Sequence, residues 1–494
     1  MSFSADILDG LQLLLDWNIL LMVILGLLFG IITGAIPGFS TPLAISIMLP
    51  VTFPMDPLSA IVFLTAIYAG GNFGSSISAI LLNIPGSPQA IVTTLDGYPL
   101  TKQGKANEAL SVALFSSATG NLIGTFALIL LMPLIAGVAL NFGPPELFLV
   151  GFIALTIIAT LDKSFFKALI AGLFGVLIGT IGMTPTGTIR GTWGFPELMD
   201  GIPLIPALIG LIGFSELFYL IQKDKAVDTE NTAHYKKSSI KEFIKGYKIA
   251  IKYPFNLIRS SIIGVVIGVL PGAGSTIASV VSYNEGKKYS KKPEKFGEGS
   301  HEGVIAAESS NNASEGGALA TVLALGIPGG LATAVLIGAL MLQGVAPGPR
   351  LLADDGDLVY GIMFAQIITS LLLFFIGLVI IVYAAKVINI PTMILIPVIT
   401  VFSIIGTYAI NTSLFDVKIM IIFAVIGILL RKYDYSLIAV ILGLILAPLL
   451  DSQLLRTFQS GYDLTVFFTR PISIVLLGVL LLSLIPIIKK LFKK

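Results

Sequence analysis

The residues able to do chemistry in this chain are few, and most stand beside breaks in apolar sequence. Cysteine is absent, and the two histidines, His234 and His301, lie in polar stretches. That removes thiol nucleophiles and thiolate metal sites, and it leaves no histidine inside an apolar segment to hold a metal. What remains is a run of carboxylates and amides (Glu308, Asn311, Asn312, Glu315) and sets of Ser, Thr and Asn next to Pro-Gly pairs. Oxygen and amide groups of this kind suit the holding of ions and polar solutes. An enzyme would need a nucleophile, base or metal set, so no catalytic residue and no cofactor is expected.

The Pro-Gly pairs recur. Pro37-Gly38-Phe39-Ser40-Thr41-Pro42 is answered by Pro271-Gly272-Ala273-Gly274-Ser275-Thr276, and Asn83-Ile84-Pro85-Gly86-Ser87-Pro88 by Gly326-Ile327-Pro328-Gly329-Gly330. Proline has no N–H and glycine lets the chain turn sharply, so each pair breaks a helix. Inside hydrocarbon the freed backbone groups cost several kcal/mol each unless something satisfies them. Ser40, Thr41, Ser275 and Thr276 stand where a hydroxyl can cap the next half-helix. The N–H groups at the start of that half-helix are a ready anion site. An ordinary proline kink explains one such motif but not its recurrence in both halves, which is the sequence mark of a transporter's binding region.

Two further stretches flank these breaks. Gly70-Gly71-Asn72-Phe73-Gly74-Ser75-Ser76 reads either as a close-packing helix face or, with Asn83 and Ser87, as a source of coordinating oxygens. In the stretch 302–317, Glu308, Asn311, Asn312 and Glu315 share one helical face by spacing. Acidic groups near apolar sequence are expensive and usually functional, although a solvated loop would also account for them. Read functionally, Asn72, Glu308, Asn311, Asn312 and Glu315 are the candidates for ion coupling. Na+ is then the one metal ion expected, with H+ the alternative.

The middle of each of the four broken segments lacks Lys and Arg. An anionic solute is therefore expected to be held by half-helix ends, Ser/Thr/Asn groups and bound cations rather than by a buried arginine. The loop 451–470 reads as a solvated connection.

The elements that must position these groups are apolar helices. Of 494 residues, 55% are hydrophobic and 12% charged, against about 25% charged in soluble domains. This composition predicts an all-α polytopic membrane protein embedded in a lipid bilayer, with about 10–12 transmembrane helices plus re-entrant or broken ones. The candidates are 18–50, 57–97, 108–133, 145–161, 166–183, 202–221, 256–283, 303–345, 358–385, 391–409, 416–430, 435–450 and 467–488. Nothing in the modest net charge of +2 points to nucleic acid. The start of the chain has no Lys or Arg before Lys102, so the basic region of a cleavable signal is missing.

Loop charges predict orientation. The linker 222–255 has eight lysines, and the loop 284–300 is also basic. Placing both in the cytoplasm makes 256–283 a re-entrant hairpin, whereas a single span leaves one basic loop outside. Segment 18–50 shows the same pattern inverted, with flanks free of basic residues outside and Lys102 and Lys105 inside. The chain then divides into a first membrane repeat (1–221), a basic cytoplasmic linker (222–255) and a second repeat with C-terminal spans (256–494). The repeats have inverted topology, the N-terminus lies outside and the C-terminus inside.

At these residues the chain resembles the large membrane subunit of the tripartite tricarboxylate transporters, the TctA family. The matching strings include 34–38, 76–86, 95–99, 268–274, 296–299, 302–304, Asn311-Asn312, 325–329, 347–349 and 468–473. Ser75 and Ala307 depart from the usual glycine and proline of the family. The resemblance implies secondary active uptake of organic carboxylates across a bacterial inner membrane, coupled to Na+ or H+. It also implies two partners, a small TctB-like membrane subunit and a periplasmic TctC-like substrate-binding protein. On this reading the solute is held by Pro37, Gly38, Ser40, Thr41, Ser76, Asn83, Pro85, Gly86, Ser87, Gly272, Gly274, Ser275, Thr276, Pro328, Gly329 and Gly330, where the breaks converge.

Overall fold

The computed structural model describes residues 10, 12, 16–162, 164–184, 186–222, 240–383 and 392–491. These are almost wholly helical. In hydrocarbon a helix pairs its own backbone N–H and C=O groups, so the arrangement follows from the composition. The first half runs α1 (Trp17–Gly34), α2 (Thr41–Met48), α3 (Pro57–Leu82), α4 (Ile91–Lys102), α5 (Ala106–Ala139), α6 (Pro144–Leu161) and α7 (Phe165–Gly179). A short antiparallel ribbon follows, β1 (Gly182–Met183) on β2 (Ile189–Arg190), with Gly182 opposite Arg190. Then α8 (Leu204–Leu208) passes through a π-helical stretch, Ile209–Phe214, into α9 (Ser215–Gln222).

The second half runs α10 (Ile240–Ala250), α11 (Pro254–Gly268), α12 (Gly274–Tyr289), α13 (His301–Leu325), α14 (Leu331–Leu342), α15 (Leu351–Asp354) and α16 (Gly356–Val382). It ends with α17 (Thr392–Asn411), α18 (Leu414–Lys432), α19 (Leu437–Gln459), α20 (Val466–Thr469) and α21 (Pro471–Leu491). Much of the linker and His234 lie outside the described residues.

Among the described residues, six helices are long and apolar enough to cross a membrane: α1, α3, α5, α6, α16 and α19. The pair α10–α11 passes the same test only when taken together and is bent by 78° at its break. Shorter apolar helices at 41–52, 165–179, 204–218, 331–342, 399–411 and 471–485 account for most of the other sequence-level candidates. Large apolar side chains such as Phe126, Leu130 and Leu134 on α5 and Phe375 on α16 face outward. This is a multi-pass membrane protein.

The helix breaks fall at the Pro-Gly pairs. Gly38 and Gly272 adopt φ of 81° and 71°, which glycine reaches without steric cost. Asn83 ends α3 with φ 60° and ψ 23°, and Gly326 ends α13 with φ 68° and ψ 23°. Around Pro271 the chain doubles back: the Ser282 hydroxyl donates to the carbonyl of Ser260, and the two residues are equidistant from that proline. The segment 256–283 is therefore an antiparallel hairpin and not one span.

Glycine sets the depth of packing between helices. A Cβ at Gly30 would stand 2.5 Å from the carbonyl oxygen of Ile67, and one at Gly264 would stand 2.4 Å from that of Ser310. Gly34 faces the carbonyl of Gly71 in the same way, and Gly268 that of Ser314; Gly74 faces Ile31, and Gly317 faces Val265. In each pair the second contact repeats the first, 234 or 243 positions further on. Missing side chains let the backbones of α1 and α3, and of α11 and α13, approach closely, and dispersion then holds helices together where lipid offers no hydrophobic drive. Leu58 to Leu82 of α3 and Gly303 to Ala324 of α13 are buried throughout, so these two helices form the centre of the molecule.

The loop 451–470 is more than a solvated connection. Asp451 pairs with Arg190, and Arg470 pairs with Glu146, a fully buried carboxylate at the start of α6. A carboxylate as buried as Glu146 needs such a partner; the first pair ties the β-ribbon to the end of α19, the second the start of α6 to the start of α21.

Candidate functional site

A cavity of about 650 Å³ lies where the four breaks meet. The first break contributes Gly38 and Ser40, and the second Pro85, Gly86 and Ser87. The third contributes Gly272, Gly274, Ser275 and Thr276, and the fourth Gly330 with Leu331 and Ala332. Pro328 borders a narrower recess beside it. Apolar walls come from Ile158 and Leu161 of α6 and from Leu437 and Ile438 of α19. The helices α2, α12 and α14 all start at this cavity. A largely apolar hollow with a few convergent polar groups is the usual form of a small-solute site, and helix starts give it a bias toward anions.

One wall is a closed chain of hydrogen bonds. The amide of Thr41 donates to Ser87 Oγ at 3.1 Å. Gln89 Nε2 donates to Asn72 Oδ1 at 2.7 Å and to Thr41 Oγ1 at 3.4 Å. Asn72 Nδ2 then donates to Glu315 Oε1 at 2.5 Å. The sequence suggested that Ser40 would cap α2. It stands at the N-cap position, but its hydroxyl makes no cap bond: a cap reaches the second or third amide of the helix, and the second residue, Pro42, has none; the amide of Thr41 is taken by Ser87. Neither Ser275 nor Thr276 caps α12: both lie inside its first turn, and the cap position is Ala273.

Behind that wall, α13 holds the acidic face. Glu308 accepts from Thr93 Oγ1 at 2.5 Å and from Ser117 Oγ at 2.8 Å. Asn312 Nδ2 donates to the carbonyl of Glu308 at 3.1 Å. Glu315 Oε2, both polar atoms of the Asn311 amide and Asn312 Oδ1 are buried without a partner. Each such atom costs about 1–3 kcal/mol, so the cluster has unused capacity for a small guest. No ion pair to Glu308 or Glu315 occurs among the described residues. The solvated-loop reading of this stretch fails, since all four side chains are at most 1% exposed.

Some expected residues do not border the cavity. Ser76 donates to the carbonyl of Phe73 inside α3. Asn83 is an exposed helix end. Pro37 is buried behind the first turn, and Gly329 packs on the carbonyl of Gly268. Thr41, Asn72, Glu308, Asn311, Asn312 and Glu315 lie beyond the lining as well; Glu315 connects to it through Asn72 and Gln89.

Other lining residues escaped sequence reasoning. Tyr68 borders the cavity beside Asn72 and Glu315. Gln89 follows Pro88 directly and could have been read as part of the second break. Asp162, Glu216 and Arg431 also line the cavity, and Arg431 Nη2 meets Glu216 Oε2 at 2.5 Å. No arginine lies within a broken segment; the guanidinium that lines the cavity, partly exposed and paired with Glu216, comes from the end of α18, far in sequence from any break, where it counted only as a loop charge.

A family model described as the tripartite tricarboxylate transporter TctA family matches residues 20–442. An uncharacterized 52.8 kDa protein in the TAR-I ttuC' 3' region of Agrobacterium vitis is 36% identical over 473 residues, covering 94% of this chain and 93% of that protein. An uncharacterized protein in the TAR-II ttuC' 3' region of the same organism is 39% identical over 231 residues, 46% of this chain and 96% of that protein. No solved structure matches the chain significantly.

Proposed function

The chain belongs to the tripartite tricarboxylate transporter TctA family, and from that premise we propose that it imports organic carboxylates as the large membrane subunit of a binding-protein-dependent secondary transporter. Membership makes it a membrane component of a tricarboxylate transporter. The finer reading rests above all on one observation: all four helix breaks border a single cavity.

In this reading a tricarboxylate or dicarboxylate enters the cavity, where Gly38, Ser40, Pro85 to Ser87, Gly272 to Thr276 and Gly330 surround it. Helix-start N–H groups and Arg431 supply positive potential. Na+ or H+ couples through Glu315, Asn311, Asn312, Glu308 and Asn72. The unpartnered oxygens of Glu315, Asn311 and Asn312 support the coupling role. The two halves act as inverted repeats, supported by the helix contacts that recur at fixed intervals. The protein sits in the bacterial inner membrane with its N-terminus outside and its C-terminus inside. Asp162, Glu216, Arg431 and Ser436 line the cavity near basic helix ends, so on the positive-inside rule it opens to the cytoplasm. A small TctB-like subunit and a periplasmic TctC-like binding protein complete the system.

The test is uptake of labelled citrate and succinate by proteoliposomes holding both membrane subunits, with and without the binding protein and an imposed Na+ or H+ gradient. Accumulation is expected only with both. Flux that needs neither would overturn the reading in favour of a channel.

A further inference from the structure

We propose that a carboxylate of the solute seats on the second-half side of the cavity, against the start of α12, and that Gly330 is the residue that keeps this seat open. The inference rests on the carboxylate-transport reading and adds where the anion goes.

The argument compares corresponding positions. A Cβ at Gly86 would stand 2.1 Å from the carbonyl oxygen of Gly34, and one at Gly329 would stand 2.8 Å from that of Gly268. The next residues, Ser87 and Gly330, therefore correspond, as do Thr41 and Ser275. In the first half the seat is filled by the protein itself, because Ser87 Oγ accepts the amide of Thr41 and Gln89 closes over it. In the second half the residue at the place of Ser87 is Gly330 and that at the place of Gln89 is Ala332, so neither the hydroxyl nor the amide is present. Ser275, Gly330 and Ala332 all border the cavity.

The fold does not demand glycine at 330. Its φ of −172° is extended backbone that any residue adopts, and Ser87 is extended too at −136°. A Cβ at Gly330 would meet nothing nearer than Gly274 Cα at 3.6 Å, an ordinary contact. Gly272 is a contrast: its φ is 71°, and a Cβ there would collide with Ile158. The N–H of Gly330 is already donated to Thr333 Oγ1 at 3.0 Å. The donor of the seat that corresponds to the amide of Thr41 is the amide of Ser275, in the first turn of the 16-residue α12. A carboxylate oxygen of the solute takes the place that Ser87 Oγ occupies in the other half.

The experiment uses the complete transporter in proteoliposomes, with labelled citrate and succinate as probes and thermal unfolding as the control for folding. Gly330→Ser rebuilds the plug and is expected to lower apparent affinity at least tenfold while leaving the unfolding midpoint near that of the parent. Gly330→Ala adds the Cβ without the hydroxyl and is expected to lose clearly less affinity than Gly330→Ser. Ser275→Pro deletes the donor at a first-turn position that tolerates proline and is expected to lose affinity as Gly330→Ser does. It decides the matter should Gly330→Ser fail to assemble. Parental affinity in Gly330→Ser or in Ser275→Pro, or equal loss in Gly330→Ala and Gly330→Ser, overturns the proposal. A parent that takes up no carboxylate overturns the functional reading itself, a separate outcome.

Discussion

Asn72 Nδ2 donates to Glu315 Oε1 at 2.5 Å, across 243 residues of chain. The same interval relates Asn83 to Gly326 as left-handed helix ends, and Gly74 to Gly317 as contact glycines. Corresponding residues of α3 and α13 thus touch each other. Under a two-fold relation between halves, only positions close to the axis can do so. A carboxylate at both places would set two acceptors face to face. An amide against a carboxylate lets one partner donate and the other accept.

The pair therefore has a directional test. Glu315→Gln keeps an acceptor for Asn72 and removes the charge, so assembly and thermal stability should be close to the parent. Gradient-driven accumulation of citrate or succinate should fall at least tenfold, with solute binding less affected. Full accumulation in this variant would take Glu315 out of the coupling site. Asn72→Asp sets two buried carboxylates together, and its expression in folded form should fall sharply.

Helix packing gives a second prediction, free of any functional assumption. Gly120 and Gly137 lie on the same helix, α5. A Cβ at Gly120 would come 2.3 Å from the carbonyl oxygen of Ser309, whereas one at Gly137 meets nothing within 4 Å. Gly120→Ala must push α5 off the central helix α13, which costs about 1–3 kcal/mol or more. Gly137→Ala should be neutral. Thermal unfolding of the two proteins in one detergent separates them, and equal midpoints would show that α5 does not pack on α13 at this depth.

Asp96 offers a third. Its Oδ1 accepts the amides of Gly297, Gly299 and Ser300 at 2.7–3.0 Å, and its Oδ2 accepts the hydroxyl of Tyr283 at 2.9 Å. One fully buried side chain of α4 thus fixes the loop that launches α13. Asp96→Ala strands four donors, and at about 1 kcal/mol or more per lost bond the cost should reach roughly 4 kcal/mol. Asp96→Asn should lose less, because its oxygen can still accept. A stability loss under 1 kcal/mol for the alanine variant would contradict the geometry.

How much of this was legible in sequence depends on whether the signal was local. Helix breaks at Pro37, Pro85, Pro271 and Pro328 follow from proline and glycine chemistry alone, and the composition determined that helices would surround them. The hairpin at Pro271 was readable from lysines on both flanks. Convergence was not readable, because it depends on how glycines such as Gly34 and Gly268 set the distance between helices. Arg431 and Glu216 were missed for a related reason: each is ordinary in its own segment, and only tertiary packing brings them to the cavity. Ser40 was misassigned although the obstacle is local: Pro42, the second residue of the helix it would cap, has no N–H to donate.

The pairing of Arg470 with Glu146 carries the last prediction. Glu146 is fully buried; its Oε1 accepts from Arg470 Nε at 2.7 Å and from Ser473 Oγ at 2.7 Å, and its Oε2 from the amide of Gly143 at 2.9 Å. The interaction joins the start of α6 to the start of α21, hundreds of residues apart. Removing only the guanidinium leaves a buried carboxylate with two neutral donors, and breaking buried pairs in this way costs about 3–5 kcal/mol. The figure here should fall at the lower end, since Arg470 is 35% exposed and part of its charge is screened. The double variant Glu146→Met with Arg470→Met removes both charges and should recover much of that loss. Unfolding of the single and double variants in parallel gives the coupling energy, and additive losses would mean that the pair contributes nothing beyond its separate contacts.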